Sequence, residues 1–231
     1  MKNKIHGGFT LAEVLITLGI IGVIAALVIP ALMQNSQKQQ YVTAYQKGLS
    51  TLSQALTEVS EEYGCVGDLA CTGLFDAAGG VSQIESERLV TALTNSLKIV
   101  NNCGGTGTDC FPKTVKYLNN AGSETLGAET ATFAMADGFS YAVRNLGLNC
   151  TAGCITAYFD ANGFKPPNKY GRDVFLFYVN RSGKIIPHGS TAADWQSPSD
   201  NNVWQNCRLD LASNGLGCSA RIIQQGWQMN Y

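Results

Sequence analysis

The chain has 231 residues, with 16 Lys and Arg against 17 Asp and Glu and a formal net charge of −1. That balance excludes an electrostatic nucleic-acid binder, which needs a clustered basic excess. Charged residues make up 14% of the chain, against roughly 25% in average proteins, and such a deficit fits a membrane segment attached to one soluble domain.

Residues 1–8 are short and basic, with Lys2 and Lys4, and end in Gly7-Gly8. Phe9-Thr10-Leu11-Ala12-Glu13 follows, and then Val14 to Met33 runs without a charge. At 1.5 Å per residue those last twenty positions span about 30 Å, the hydrocarbon thickness of a bilayer. The lysines precede the segment, so the amino terminus is expected in the cytoplasm and the bulk of the chain outside. A secretory signal would carry a small-residue cleavage site after its apolar run. Here the run ends Ile29-Pro30-Ala31-Leu32-Met33-Gln34, and the flexible Gly7-Gly8 stands before it. A cut after Gly8 would leave the whole helix on the mature protein. Glu13 is a carboxylate in an apolar span, which costs a few kcal/mol on insertion scales and marks a functional position. The cation that cleavage would create nearby is the α-amine of Phe9. It lies four residues from Glu13 in one helix, or beside Glu13 of a neighbouring parallel helix, where the pair would set axial register. Pro30 removes one helical hydrogen bond and is expected to kink the segment.

Gly8-Phe9-Thr10-Leu11-Ala12-Glu13 followed by about twenty apolar residues resembles the N-terminal signal of type IV pilins and type II secretion pseudopilins. The resemblance implies cleavage between Gly8 and Phe9 by a prepilin peptidase, methylation of Phe9, and assembly guided by Glu13. It also implies an inner-membrane assembly platform and copies of itself or other pilins as partners. Pro30 matches a proline often found in the same helix of that family. An uncleaved single-pass anchor is the plain alternative.

Past the membrane segment, Tyr41, Tyr45, Leu49, Leu52, Leu56, Val59 and Tyr63 recur in steps of four or three, one apolar stripe of a continuing helix closed at Gly64. A second helix is expected from Ser86 to Val100, with Leu89, Leu93 and Leu97 on one face. Its cap is either Ser82, in a box with Glu85, or Ser86, and Gly104-Gly105 closes it. The period then changes to two. Thr130–Ala136 and Phe139–Asn145 flank Asp137-Gly138, a hairpin signal. Ile155–Asp160 reads as a strand, and Val174–Asn180 and Lys184–Pro187 as a further hairpin. The expected sheet has four or five antiparallel strands, one face covering the helix stripe. Residues 189–218 are turn-rich, and Ala220–Gly226 reads as a short terminal helix.

Eight cysteines all lie after the apolar segment. In an exported head they read as disulfides, and pairing sequence neighbours gives Cys65–Cys71, Cys103–Cys110, Cys150–Cys154 and Cys207–Cys218 among 105 connectivities. Zinc fits less well, because no pair has the short C-x-x-C spacing and His is nearly absent. Catalysis is not expected. His6 and His188 are the only histidines, and no hydrolase, zinc-protease or phosphate-loop motif occurs. The segment from Asp160 to Asp173 resembles a D-x-N-G…P-N…G-x-D-x-F stretch of many prepilin-type proteins. Its Asp160, Asn162 and Asp173 offer oxygen ligands for Ca2+, or form a turn in which Asn and Asp side chains bond to backbone. Asn149-Cys150-Thr151 and Asn180-Arg181-Ser182 fit the glycosylation triplet, a weak signal beside a bacterial-type leader. Trp195, Trp204 and Trp227 are expected to cap a thin core or touch neighbouring subunits, with a binding patch as the alternative.

The expected fold class is α+β: a long N-terminal transmembrane and amphipathic helix packed on a small antiparallel head, as in pilins. The expected division is a cytoplasmic leader at 1–8, a membrane or filament-core helix at 9–33, its amphipathic continuation at 34–64 and an exported disulfide-bearing head at 65–231. The expected function is a structural subunit of a pilus or pseudopilus, held in the inner membrane before assembly. The alternative is a membrane-anchored adhesin or ligand-binding minor pilin.

Overall fold

The apolar segment opens helix α1 (Leu11–Glu62), which is helical throughout and contains Pro30. The computed structural model describes residues 8, 10–75, 81–105, 110–147, 154–190, 207 and 213–231. The chain divides into two compact units, Met1–Gln39 and Gln40–Tyr231. In the first, the large apolar side chains from Leu11 to Met33 are exposed, and the helix is long and apolar enough to cross a membrane by length and composition.

In the second unit α1 turns amphipathic. Val42, Tyr45, Gly48, Leu52, Ala55, Leu56 and Val59 are buried, spaced in threes and fours as one helix face requires. Tyr63, read from the sequence as the last residue of this stripe, is instead 46% exposed. It lies past Glu62, where the chain leaves the helical path. The end is a Schellman arrangement: the Gly64 amide donates to Glu61 at 3.0 Å and the Cys65 amide to Ser60 at 2.7 Å. Gly64 sits at φ +66°, a conformation that costs glycine nothing.

After a 3₁₀ turn (Leu69–Thr72) comes helix α2 (Gln83–Leu93). Ser82 is its cap, its hydroxyl accepting from the Glu85 amide at 3.2 Å. The Glu85 carboxylate turns to Arg88 instead of closing the box. The Ser82→Ala variant is expected to lose about 1 kcal/mol of stability, read by chemical denaturation of the full chain in detergent. The sequence placed this helix at Ser86–Val100, and the structure corrects both ends. Leu97 stays buried through a turn in which its amide donates to Leu93. Then Ile99–Gly104 becomes strand β1, antiparallel to β4 (Ala131–Met135). The leucine spacing thus persists through a segment that has already left the helix.

The remaining strands are β2 (Thr114–Lys116), β3 (Ser123–Thr125), β5 (Ser140–Asn145), β6 (Ile155–Asp160), β7 (Val174–Val179) and β8 (Ile185–Pro187). Of the eight strands among the described residues, six form one antiparallel sheet in the order β1-β4-β5-β6-β7-β8, while β2 and β3 pair separately. This is more than the four or five strands expected, because β1 and the short β2–β3 pair carry no clean alternation. The terminal helix α3 runs Cys218–Gln224, starting two residues before the expected one.

The sheet is buried on both faces. Phe133, Tyr141, Val143, Ala157, Phe159, Phe175 and Phe177 face the core shared with α1, α2 and α3. Ala142, Tyr158, Val174 and Leu176 point the other way, under Phe111, Val115, Leu126 and Tyr170. Central strands covered on both sides read as near-continuous apolar runs, which is why Val-Phe-Leu-Phe-Tyr-Val in β7 shows no polar alternation. On the α1 side Tyr45 stacks on Phe175 at 4.3 Å between ring centroids. Gly48 lets the helix approach: a Cβ there would lie 2.4 Å from the Phe159 ring. The Tyr141 hydroxyl donates to the Gly48 carbonyl at 2.9 Å.

Among the described residues, three disulfides join sequence neighbours: Cys65–Cys71, Cys103–Cys110 and Cys207–Cys218, with Cα separations of 5.7, 6.1 and 4.8 Å, inside the usual range. Cys103–Cys110 ties the end of β1 to Phe111, which covers the second sheet face. Cys154 is disulfide-bonded as well; Cys150, its expected partner, lies outside the described residues. So do Phe9, Trp195, Trp204 and the triplet at Asn149.

Candidate assembly segment and acidic loop

Two places in the chain carry the residues singled out by sequence. The first is the start of α1. Gly8 is exposed. Thr10 donates to Glu13 Oε2 twice, from its amide and from its hydroxyl, each at 2.8 Å. The Glu13 amide donates back to Thr10 Oγ1 at 3.3 Å. This is a capping box, which satisfies two helix-start amides reciprocally. The sequence reading sought a partner for Glu13 at Phe9 and missed this one. The signal was present as Thr-x-x-Glu directly before an apolar run. Glu13 therefore has a neutral partner in its own chain, and Oε1 takes part in neither bond. Pro30 lies nineteen residues into the helix, which continues across it.

The second place is the loop between β6 and β7. Asp160 closes β6 and Asp173 immediately precedes β7, so strand pairing brings them to the same end of the sheet. The Ala161 amide donates to the Asp173 carbonyl at 2.8 Å. Both side chains are 0% exposed. The Asp173 carboxylate accepts from the amides of Asn168 and Lys169, each at 2.8 Å. Asp160 Oδ1 accepts from the Asn162 amide at 3.1 Å. Asn162 is fixed in orientation, since its Nδ2 donates to the Pro166 carbonyl at 3.2 Å and to the Tyr41 hydroxyl at 3.5 Å. The loop is thus a side-chain-braced turn of the plain kind weighed from the sequence. Its electrostatics are less plain. Burial, and next the Asp173 charge, push the Asp160 carboxyl well above the usual range, against the amides of Asn162 and Gly163. Burial also raises Asp173, with the Lys169 and Asn168 amides opposing it. Among the described residues no group of three His, Cys, Asp or Glu side chains is placed to share a metal.

His188 is a packed loop residue. Its Nδ1 is 3.1 Å from the Tyr178 hydroxyl, and burial lowers its pKa. Asn180 braces the β7–β8 turn, its Oδ1 accepting from Ser182 and from the Lys184 amide. Trp227 packs edge-on to Tyr45, 6.0 Å between ring centroids.

Residues 3–29 match the model of the prokaryotic N-terminal methylation motif. The match is confined to the start of the chain and the apolar part of α1. No curated protein and no solved structure matches the chain.

Proposed function

We propose that the chain, a type IV pilin- or pseudopilin-like precursor by its N-terminal signal, is a structural subunit of a type IV pilus or type II secretion pseudopilus. The observation that carries this reading is the methylation motif lying on a helix whose large apolar side chains are exposed up to Met33. Such a surface needs lipid before assembly and like helices after it. In this reading residues 1–8 are the cytoplasmic leader. A prepilin peptidase cuts between Gly8 and Phe9, and Phe9 is then methylated. Residues 9–33 hold the subunit in the inner membrane and later form the filament core. Residues 34–64 continue the helix into the head, and 65–231 complete that head outside the cytoplasm. Pro30 gives the core helix one missing backbone donor, where it can loosen on packing. The assembly platform and sister pilins are the partners this role requires, and no chemistry is asked of the head.

Intact mass and N-terminal peptide mapping of the protein from its own cell envelope test the reading. The expected mature chain begins at methylated Phe9. A chain that still begins at Met1, in cells with active peptidase, sinks it.

A further inference from the structure

We infer that the head binds a second copy of this chain head to tail, the tip Phe164-Lys165-Pro166-Pro167 of one copy seating in a depression between Tyr63 and α2 of the next. The inference deepens the proposed function and rests on its reading of the chain as a filament subunit. The depression, about 530 Å3, is lined by Tyr63, Leu74, Ile84 and Ala92 among others. Ile84 is 69% exposed and Tyr63 46%, and Val66 and Val81, three residues to either side in the chain, are exposed as well. Apolar side chains gathered at one place in water mark an interaction surface, which singly scattered ones do not. Glu87 also lines the depression, and Glu61 and Glu62, directly before Tyr63, are exposed. Arg88, the cation of the lining, is committed to the Glu85 carboxylate and the Gly73 carbonyl. The surroundings of the depression are therefore acidic.

The tip is the complement in both respects. Phe164 is 51% exposed, and Lys165, Pro166 and Pro167 beside it are exposed too. Lys116, Lys169 and Arg172 crowd the same end of the head: after burial, the charges of Arg172 and Lys116 lower the Lys169 pKa. The carboxylates of this end, Asp160 and Asp173, are 0% exposed, so the surface it presents is basic. An aromatic anchor with cations around it suits an apolar depression with carboxylates around it, the ring supplying affinity and the charges supplying register. One head cannot make this contact with itself. Asn162 Nδ2 donates to the Pro166 carbonyl and to the Tyr41 hydroxyl, which places the tip beside Tyr41. Tyr63 follows the other end of that stretch of α1. The twenty-two residues between them rise about 33 Å as helix. Tip and depression thus lie at opposite ends, and such unlike surfaces join copies into an open series instead of a closed pair.

The test places the photo-reactive residue p-benzoylphenylalanine at Phe164 of the full chain in its own cells, and irradiates sheared filaments. The expected product is a covalent dimer whose cross-linked peptide contains Tyr63 or Ile84. Adding Ile84→Lys, which sets a cation in the depression against the basic tip, should cut the dimer about tenfold. Phe164→Ala, in a chain without the photo-reactive residue, should lower filament yield about tenfold, as expected for losing one buried ring. Phe164 and Ile84 are both exposed in the single chain, so the variants keep the fold of the head, and circular dichroism checks this. Filaments that give no dimer overturn the inference. So does a cross-link to lipid or to a different protein in place of the dimer, a dimer undiminished by Ile84→Lys, or a wild-type filament yield from Phe164→Ala. Any of these results leaves the methylated Phe9 measurement untouched, so this inference then falls alone. A chain that still begins at Met1 overturns the proposed function and this inference with it.

Discussion

Replacing Glu13 by Ala is expected to cut incorporation into filaments by roughly two to three orders of magnitude, while the head folds as before. The size follows from what the carboxylate would do in an assembled core. Pairing with the Phe9 amine of a neighbouring subunit in apolar surroundings leaves an unpaired buried charge when one partner is removed, a loss of about 3–5 kcal/mol. In the single chain Glu13 does something smaller, bonding to Thr10 through Oε2. If capping were its whole role, Glu13→Ala would cost about 1 kcal/mol of helix-end stability and leave assembly near normal. Thr10→Ala separates the two roles, because it removes the hydroxyl's bonds and keeps the carboxylate. That variant is expected to assemble within about threefold of wild type, the equivalent of a weak cap. The measurement is quantitative immunoblotting of sheared filaments against the membrane fraction, with circular dichroism of each purified variant. Glu13→Ala filaments at wild-type yield would refute the pairing role.

Gly48→Val is expected to be the most damaging single change in the head, lowering its stability by about 3 kcal/mol. For a unit of this size that corresponds to a fall of about 6–12 °C in Tm. A Cβ at this position would stand 2.4 Å from Phe159 Cε2, and Phe159 is 0% exposed. The ring has little room to yield, being packed against Tyr141 at 5.1 Å and Phe139 at 5.3 Å between centroids. Pushing the helix outward would also break the bond from the Tyr141 hydroxyl to the Gly48 carbonyl. Gly22→Val is the matched control, since a Cβ there meets nothing within 4 Å. Differential scanning calorimetry in detergent compares the two. A Gly48→Val protein melting within a degree of wild type would mean that α1 does not lie against β6 at this distance.

The local signals that survived were those with a self-contained physical cause. β6 is bounded as read, and β7 to within a residue. Each is a run rich in β-branched and aromatic residues, closed by Asp160 in β6 and followed by Asn180 after β7. Ser82 was legible as one of two caps, and Asp137-Gly138 as a turn. The reading failed where a pattern had two interpretations. Leu89, Leu93 and Leu97 keep helical spacing and all end up buried. The last of them reaches the core through a turn, so burial alone could not reveal that the helix had stopped at Leu93. β1 escaped notice because Asn101 and Asn102 are exposed edge residues. Only pairing with β4, some thirty positions on, makes that segment a strand. At the acidic loop, Asp160, Asn162 and Asp173 were visible, but Asn168 was not. Its Oδ1 joins the unpaired buried oxygens of Asp160 and Asn162 only through the fold of the loop.

The sequence alone determined the membrane-length apolar helix, its methylation motif and the helix-to-sheet order of the head. These depend on composition, charge position and short-range period, all carried within a few turns of chain. Only the tertiary structure decided which face of the sheet meets α1 and that a second layer, led by Phe111 and Tyr170, closes the other face. It alone placed Gly48 under Phe159 and buried Asp160 with an oxygen left over. Those outcomes depend on contacts between residues from about a dozen to more than a hundred positions apart, and no local preference of either partner encodes the distance at which they meet.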